Sequence, residues 1–177
     1  QTRHVVETVQ AAYPVALRYL YEGRAGKPWA LNAGLGAARG TIIAFTDDDV
    51  TVDRGWIKEM ADALRRYPRY DCFGGKVVAV YPEALPAWLD IEGPMKFVRS
   101  VFVDRQDGDE EAEYGQGTAS HTPGGVNMFF RRDAIERNGP FRIDLGPRGS
   151  VLGFSEDVEY CQRFLQRGEP FMYAPSA

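Results

Sequence analysis

Residues 41–49 read Thr41-Ile42-Ile43-Ala44-Phe45-Thr46-Asp47-Asp48-Asp49, a short apolar run that is followed at once by three aspartates. A compact apolar run of this length is typical of a buried strand, which we place over residues 41–46. In open α/β sheets, ligands bind beyond the carboxyl ends of the strands. The three aspartates therefore fall where such a sheet would bind its ligand.

Helix-like and strand-like segments alternate on both sides of this strand, which indicates a layered α/β fold. The pattern predicts helices over residues 2–12, 30–39, 132–138 and 156–167 and one after Asp53, and strands over 15–21, 72–81, 126–131 and 171–174. We expect Pro28 in the first turn of its helix, and Asp53 and Ser155 as helix caps. Because the chain opens on a helix and stops on a strand, we expect an incomplete domain, without a leading β-α-β portion and a tail.

The composition excludes several classes of protein. Of the 177 residues 44% are hydrophobic and 26% are charged, which suits a single globular domain. The net charge is −4, and the absence of a basic stripe argues against nucleic acid or anionic lipid as the main partner. No apolar run reaches the roughly 18 residues of a membrane span. Cys72 and Cys161 form no CxxC pair, which favours free thiols and a cytoplasmic location.

The aspartate triplet predicts a cation site. Asp47 and Asp49 would point to the same side of an extended chain, because side chains alternate along it. Both could then reach one Mg²⁺ or Mn²⁺, which prefer oxygen ligands and keep positions for phosphate. The alternative is a solvated acidic turn that only precedes the next helix.

Glu156 and Asp157 follow the glycine-rich residues 146–153 and form a second acidic candidate site. They could face the same crevice as Asp49. Alternatively, they only offset the positive end of the helix dipole, an effect of about 0.3–1 kcal/mol for each acid.

Two further groups could contact a ligand. Lys27 and Asn32, at the start of a helix, could hold a phosphate or a nucleotide, although a surface lysine and a capping asparagine explain them nearly as well. The glycines of Gly124-Gly125-Val126-Asn127 would let the backbone approach a ligand closely, and a plain turn before a strand is the alternative.

Taken together and in order, these segments resemble the inverting family 2 glycosyltransferases of GT-A type. The resemblance extends over most of the chain and is weakest over residues 82–123. The residues that carry it are Gly26-Lys27, Ala30-Leu31-Asn32, Ala38-Arg39-Gly40, Ile43 to Asp49, Trp56-Ile57, Gly74-Gly75, Gly124 to Met128, Arg131-Arg132, Gly139-Pro140-Phe141, Ser155 to Glu159, Arg163, Gly168 and Tyr173-Ala174-Pro175.

The resemblance implies one GT-A domain over residues 1–177, a Rossmann-like three-layer α/β/α fold with a mixed, mainly parallel sheet. It implies a metal-dependent transfer of a sugar from a nucleotide-sugar donor to the hydroxyl of a carbohydrate or lipid-linked acceptor. The cation would be Mg²⁺ or Mn²⁺, held by Asp49 and Asp47 of the family's DxD motif. Asp157 would be the general base. The residues implied to bind the nucleotide sugar are Lys27, Asn32, Asp47, Asp48, Gly124, Gly125, Asn127 and Glu156.

Residues 82–123 would form an acceptor-side excursion. Trp88 and Tyr114 are its candidate sugar-stacking side chains, with core packing the favoured fate of Trp88. The implied location is cytoplasmic, either free or at the cytoplasmic face of a membrane.

Two rival hypotheses remain open at this point. Asp47 and Asp49 behind an apolar strand also fit haloacid-dehalogenase-like phosphotransferases, with Asp47 as nucleophile and Asp49 as acid/base. That fold carries the motif on its first strand, whereas here a predicted strand and two helices come earlier. The second rival is a truncated sugar-binding module without catalytic activity.

Overall fold

The computed structural model describes residues 2–81, 84–100, 103–118, 120–147 and 153–177. The helices are α1 (Thr2–Gln10), α2 (Lys27–Ala37), α3 (Trp56–Arg66), α4 (Arg132–Asn138) and α5 (Glu156–Gln166), with a 3₁₀ helix over Lys96–Ser100. The strands are β1 (Ile42–Phe45), β2 (Cys72–Gly74), β3 (Ala112–Glu113), β4 (Met128–Arg131) and β5 (Phe171–Tyr173). Helices and strands alternate over most of the chain, as the sequence pattern predicts.

The strands form one mixed sheet in the order β1-β4-β2-β5-β3. Strands β1 and β2 both pair antiparallel with β4, β2 pairs parallel with β5, and β3 pairs antiparallel with β5. The mixed sheet is confirmed, but the expectation of mainly parallel pairing is wrong for the described strands. The reason is the position of β4, which runs between β1 and β2 in the opposite direction and separates two strands that point the same way.

Strand β4 shows why the domain has three layers. Successive side chains of a strand face opposite sides of the sheet. Phe129 packs on one side with Phe73 and with Met60 of α3. Phe130 packs on the other side with Phe164 of α5, in a cluster that also touches α2 and α4. Because both faces are covered by helices, β4 is buried along its apolar residues, and the predicted three-layer α/β/α arrangement is confirmed.

Two predicted strands differ from the structure. Residues 15–21 form no strand, and Val15 and Tyr21 remain 65% and 75% exposed. The predicted strand over 72–81 ends at Gly74, and Val77 makes only an isolated bridge with Arg105. In both cases the apolar alternation is present, but a strand also needs a neighbour with which to share backbone hydrogen bonds.

The two predicted helix caps also differ. Gly55 rather than Asp53 occupies the N-cap of α3, and the Asp53 carboxylate accepts a hydrogen bond from the Gly55 N–H, with an N···O distance of 2.7 Å. Ser155 stands at the N-cap of α5 but has a left-handed backbone (φ 73°) and makes no capping side-chain hydrogen bond. Pro28 lies in the first turn of α2, as expected.

The segment 82–123 is only partly an excursion from the sheet. Its β3 extends the sheet beside β5, and Tyr114, 5% exposed, packs edge-on against Tyr173 at a centroid distance of 5.5 Å. Trp88 is 73% exposed. The sequence expectation for the two aromatic rings is therefore reversed: Tyr114 belongs to the core, and Trp88 presents its ring to solvent.

Candidate functional site

A cavity of about 630 Å³ opens between α2 and β1. Its walls are apolar, with Leu31 and Leu35 on α2 and Ile43 on β1, and its polar end is formed by Lys27 and residues 47–49. A pocket of this size, mostly apolar with a few convergent polar groups, is typical of a small-molecule site. It lies at the carboxyl end of β1, where the sequence places the candidate ligand site.

Lys27 joins two of the predicted acidic groups. It is the first residue of α2, and its Nζ lies 2.8 Å and 3.1 Å from the two carboxylate oxygens of Asp47. The same Nζ lies 3.9 Å from Oε1 of Glu156, the first residue of α5. The end of β1 and the starts of α2 and α5 therefore meet at one ammonium group.

The charge of Lys27 follows from these neighbours. Partial burial by itself lowers the pKa of Lys27, but the hydrogen bond with Asp47 and the charges of Asp47, Glu156 and Asp157 raise it more. The net pKa lies above the ordinary value of 10.5, so the group is an ammonium ion at neutral pH. Asp157 is thus within electrostatic reach of the Lys27 ammonium, which Asp47 contacts directly.

Backbone hydrogen bonds hold the Asp157 carboxylate. Its Oδ2 accepts from the Gly125 N–H at 3.0 Å, and its Oδ1 accepts from the Val158 N–H at 2.8 Å. A Cβ built on Gly125 would lie 2.7 Å from Asp157 Oδ2, closer than real side chains approach. The sequence analysis expects the backbone at Gly125 to approach a ligand closely. In the structure the backbone at Gly125 approaches the Asp157 carboxylate, and this pairing fixes where the candidate base points.

The sequence analysis assumed an extended chain through the aspartate triplet, but the structure has no extended chain there. The chain turns at Asp48 and Asp49, both of which are exposed, while Asp47 is half-buried against Lys27. Within the described ranges, no group of three or more His, Cys, Asp or Glu side chains could hold a metal ion. Asp47 and Asp49 still fit a cation of the Mg²⁺ type, which proteins bind through one or two carboxylates together with waters and phosphate oxygens.

Glu156 is a buried member of the site. It is 6% exposed, and a Cβ on Gly146 would come within 2.9 Å of its Oε2. The backbone N–H of Lys27 donates to the carbonyl of Pro147 in the same loop, at 3.4 Å. The loop 141–147 therefore packs onto the starts of α2 and α5. Residues 148–152 of the glycine-rich segment lie outside the described residues.

Asn32 contacts the protein backbone. Its Nδ2 donates to the carbonyl of Phe141 at 2.9 Å, and its Oδ1 accepts from the N–H of the same residue at 2.8 Å. Phe141 is 2% exposed and stacks on Tyr160 of α5. Asn32 therefore fastens α2 to the loop 141–147. Sequence reasoning did not predict the contacts of Phe141 and Pro147 with α2, because no local signal links them to residues more than 100 positions earlier.

Asn127 joins three segments. Its Oδ1 accepts from Trp56 Nε1 at 3.1 Å, and its Nδ2 donates to the carbonyls of Lys76 and Ala177 at 3.2 Å and 2.9 Å. Both amide hydrogens are thus used within the protein. Gly124 packs beside the Val103 and Arg105 side chains. The structure brings Lys27, Asp47, Glu156, Gly125 and Asp157 together, whereas Asn32 and Asn127 brace the elements around them.

Replacing Asn127 by Ala is expected to lower the free energy of unfolding by about 3 kcal/mol, because it leaves buried hydrogen-bonding groups unpaired. Urea unfolding measures the free energy of unfolding of this variant and of a control, Gln162→Ala, which replaces an exposed residue on α5. The control should change stability by less than about 0.5 kcal/mol. Equal stability of the two variants would contradict the bracing role.

The model of the family described as "Glycosyltransferase like family 2" matches residues 1–177. The chain belongs to this family. A glucosyl-dolichyl phosphate glucuronosyltransferase of Haloferax volcanii is 26% identical over 86% of this chain and 46% of its own length. A pre-mycofactocin glycosyltransferase of Mycobacterium tuberculosis is also 26% identical, over 86% of this chain and 29% of its own length. The family 2 chain therefore spans less than half of each of these relatives.

Solved structures show the same fold. Staphylococcus aureus TarS 1–349 superposes with a TM-score of 0.66 and 16% sequence identity over 99% of this chain and 48% of that one. TarS in complex with UDP-GlcNAc superposes with a TM-score of 0.67 and 17% identity over 100% of this chain and 44% of that one. The family 2 chain thus has the GT-A fold that its sequence implies. Among its described helices, none has the length and apolar character that crossing a bilayer requires.

Proposed function

We propose that this family 2 chain carries the catalytic centre of a metal-dependent inverting glycosyltransferase. The observation that carries the proposal is Lys27, whose ammonium is bonded to Asp47 and lies within the electric field of Glu156 and Asp157. The candidate base and Asp47 of the DxD motif are far apart in sequence, yet both act on this one group. An arrangement of this kind can bind an anionic donor and deprotonate an acceptor within one crevice.

Asp157 is the general base of the proposed reaction. Its carboxylate takes the proton of the acceptor hydroxyl while the hydroxyl oxygen bonds to the anomeric carbon. The bond from that carbon to the nucleoside diphosphate oxygen breaks, and the bonding electrons leave with the diphosphate. A single displacement inverts the anomeric centre, through an oxocarbenium-like transition state of the kind known for glycoside hydrolysis. Because Gly125 and Val158 hold the carboxylate, its direction is set before the acceptor binds.

Asp49 and Asp47 are the residues that would hold Mg²⁺ or Mn²⁺. The bound cation would act as a Lewis acid for the charge that develops on the departing diphosphate. Lys27 would face the same diphosphate. Asp48 would contact the nucleotide side of the donor. Glu156 lies 3.9 Å from the Lys27 ammonium and acts on it through its charge.

The comparisons support the substrate classes of this proposal. TarS, whose fold this chain shares, has been crystallised with UDP-GlcNAc, which supports a nucleotide-sugar donor. The Haloferax volcanii relative is named for a dolichyl phosphate substrate, which supports a lipid-linked acceptor, with a carbohydrate acceptor as the other candidate. A cytoplasmic location stays a prediction from the sequence. The haloacid-dehalogenase hypothesis is contradicted, because the chain belongs to the glycosyltransferase-like family 2 and has the GT-A fold.

Donor binding tests the proposal. We expect UDP, GDP or TDP with Mn²⁺, at about 100 times its dissociation constant, to add about 2.7 kcal/mol to the stability of the chain, with the effect reduced by chelator. Thermal unfolding in the presence of each nucleotide, with Mn²⁺ or with chelator, measures this. Stabilisation that is equal in chelator would contradict the metal dependence. No stabilisation by any of the three nucleotides would contradict donor binding by this chain, and binding without transfer would favour the sugar-binding module.

A further inference from the structure

Both the backbone and the side chain of Lys27 are held by contacts with other segments. Its backbone starts α2, where the following Pro28 is buried, and its N–H donates to the carbonyl of Pro147. Its ammonium lies 2.8 Å and 3.1 Å from the two oxygens of Asp47, so it faces both of them at once. Glu156, 6% exposed, has its Oε1 3.9 Å from the same Nζ.

This position coincides with the one that a divalent cation would need. A metal ion bound to Asp47 would use one or both of the oxygens that Lys27 Nζ contacts. Two cations on one carboxylate lie a few ångströms apart in a partly buried site, so they repel and each weakens the binding of the other. Asp49, the other residue that would hold the cation, is exposed, and in the described part of the chain no group of three or more His, Cys, Asp or Glu side chains could hold a metal ion.

We infer that Lys27 is the internal cation of the donor-free site and that it competes with the divalent cation for Asp47. The inference rests on the proposed function. A diphosphate offers the oxygens that both cations need, since it can accept the Lys27 ammonium and also supply ligands to the metal. Free metal therefore binds weakly, and binding of metal and diphosphate is mutually reinforcing. Lys27 makes occupancy of the cation site conditional on the donor.

The competition can be measured without an activity assay. Lys27→Met removes the charge and keeps an unbranched side chain, so Mn²⁺ without nucleotide should bind this variant about tenfold or more tightly than the parent chain. The amplitude of the free Mn²⁺ signal in electron paramagnetic resonance gives the Mn²⁺ affinity of the variant and that of the parent chain. Lys27→Gln, which keeps a neutral hydrogen-bond donor near Asp47, is the second variant if Lys27→Met does not fold.

The matched control is Lys58→Met on α3. Lys58 also contacts two carboxylates, those of Glu59 and Asp62, and its loss changes the net charge by the same amount. It should leave Mn²⁺ affinity unchanged. A double variant, Lys27→Met with Asp47→Asn, should lose the gain in Mn²⁺ affinity, because the Asp47 carboxylate that Lys27 contacted is then absent.

The outcomes separate this inference from the proposed function. Equal Mn²⁺ affinity in Lys27→Met and in the parent chain overturns the competition. If UDP, GDP or TDP still makes Mn²⁺ bind the parent chain, the proposed function survives that result. If none of these nucleotides promotes Mn²⁺ binding to either protein, the metal dependence of the proposed function fails as well. A tenfold gain in Lys27→Met that Asp47→Asn cancels supports the inference.

Discussion

Replacing Asp157 by Asn is expected to lower glycosyl transfer by about 10²–10⁴-fold while leaving donor binding nearly intact. The amide has almost the same shape as the carboxylate, and its oxygen can still accept one of the backbone N–H groups of Gly125 and Val158. It cannot take the proton of an acceptor hydroxyl. The loss should therefore fall on kcat, measured by release of the nucleoside diphosphate, and calorimetry should show little change in the affinity for the donor.

The control for this variant is Asp133→Asn, an exposed acid in the first turn of α4. It makes the same chemical change away from the cleft and should keep full activity. An Asp157→Asn variant with the activity of the parent chain would show that the base lies elsewhere. Loss of donor binding together with activity would assign Asp157 to the donor site instead.

Replacing Gly125 by Ala is expected to reduce transfer by about 100-fold or more, since a displacement of about 1 Å in a catalytic group has effects of this size. The added methyl group would lie 2.7 Å from Asp157 Oδ2 and 3.0 Å from Asp157 Cβ. Gly125 is buried, so the turn has little room to yield, and the carboxylate must shift or the backbone must strain. Stability should fall by about 1–3 kcal/mol, as in other overpacked sites.

Gly36→Ala is the matched control for this substitution. Gly36 lies on α2, is exposed, and has no heavy atom within 4 Å of the position a Cβ would take. Its replacement should raise stability by about 0.5–1 kcal/mol, as expected for a helical glycine, and leave kcat unchanged. Activity is compared well below both unfolding temperatures, so that the loss in Gly125→Ala reports on the base. Equal kcat values in the two variants would contradict the positioning role of Gly125.

The sequence predicts best those elements whose signals are local. The helix over residues 132–138 has the bounds that its pattern predicts, and β1 lies within the predicted 41–46. The predicted strand over 15–21 and the part of the predicted strand over 72–81 that follows Gly74 carry the same kind of apolar alternation, yet the structure has no strand there. Alternation shows that a segment could lie on a sheet, but the available neighbours decide whether it does.

The candidate site, too, is predicted from the sequence only in part. The residue types of Lys27, Asp47 and Asp157 and their order along the chain point to the family, and this much is present in the sequence. The resemblance assigns Asn32 and Asn127 to the donor, whereas the structure shows both amides bonded to protein groups. An asparagine side chain suits either role, and only its neighbours distinguish them.

The sequence by itself therefore determines the alternation of helices and strands, the layered α/β class and the acidic end of β1, because these depend on periodicity and on residues a few positions apart. The tertiary structure decides the order of the strands and the contacts of Lys27 with Asp47 and Glu156. It also decides that Gly125 holds Asp157. These contacts join segments that are far apart in the chain, and they form only when the helices close on both faces of one sheet.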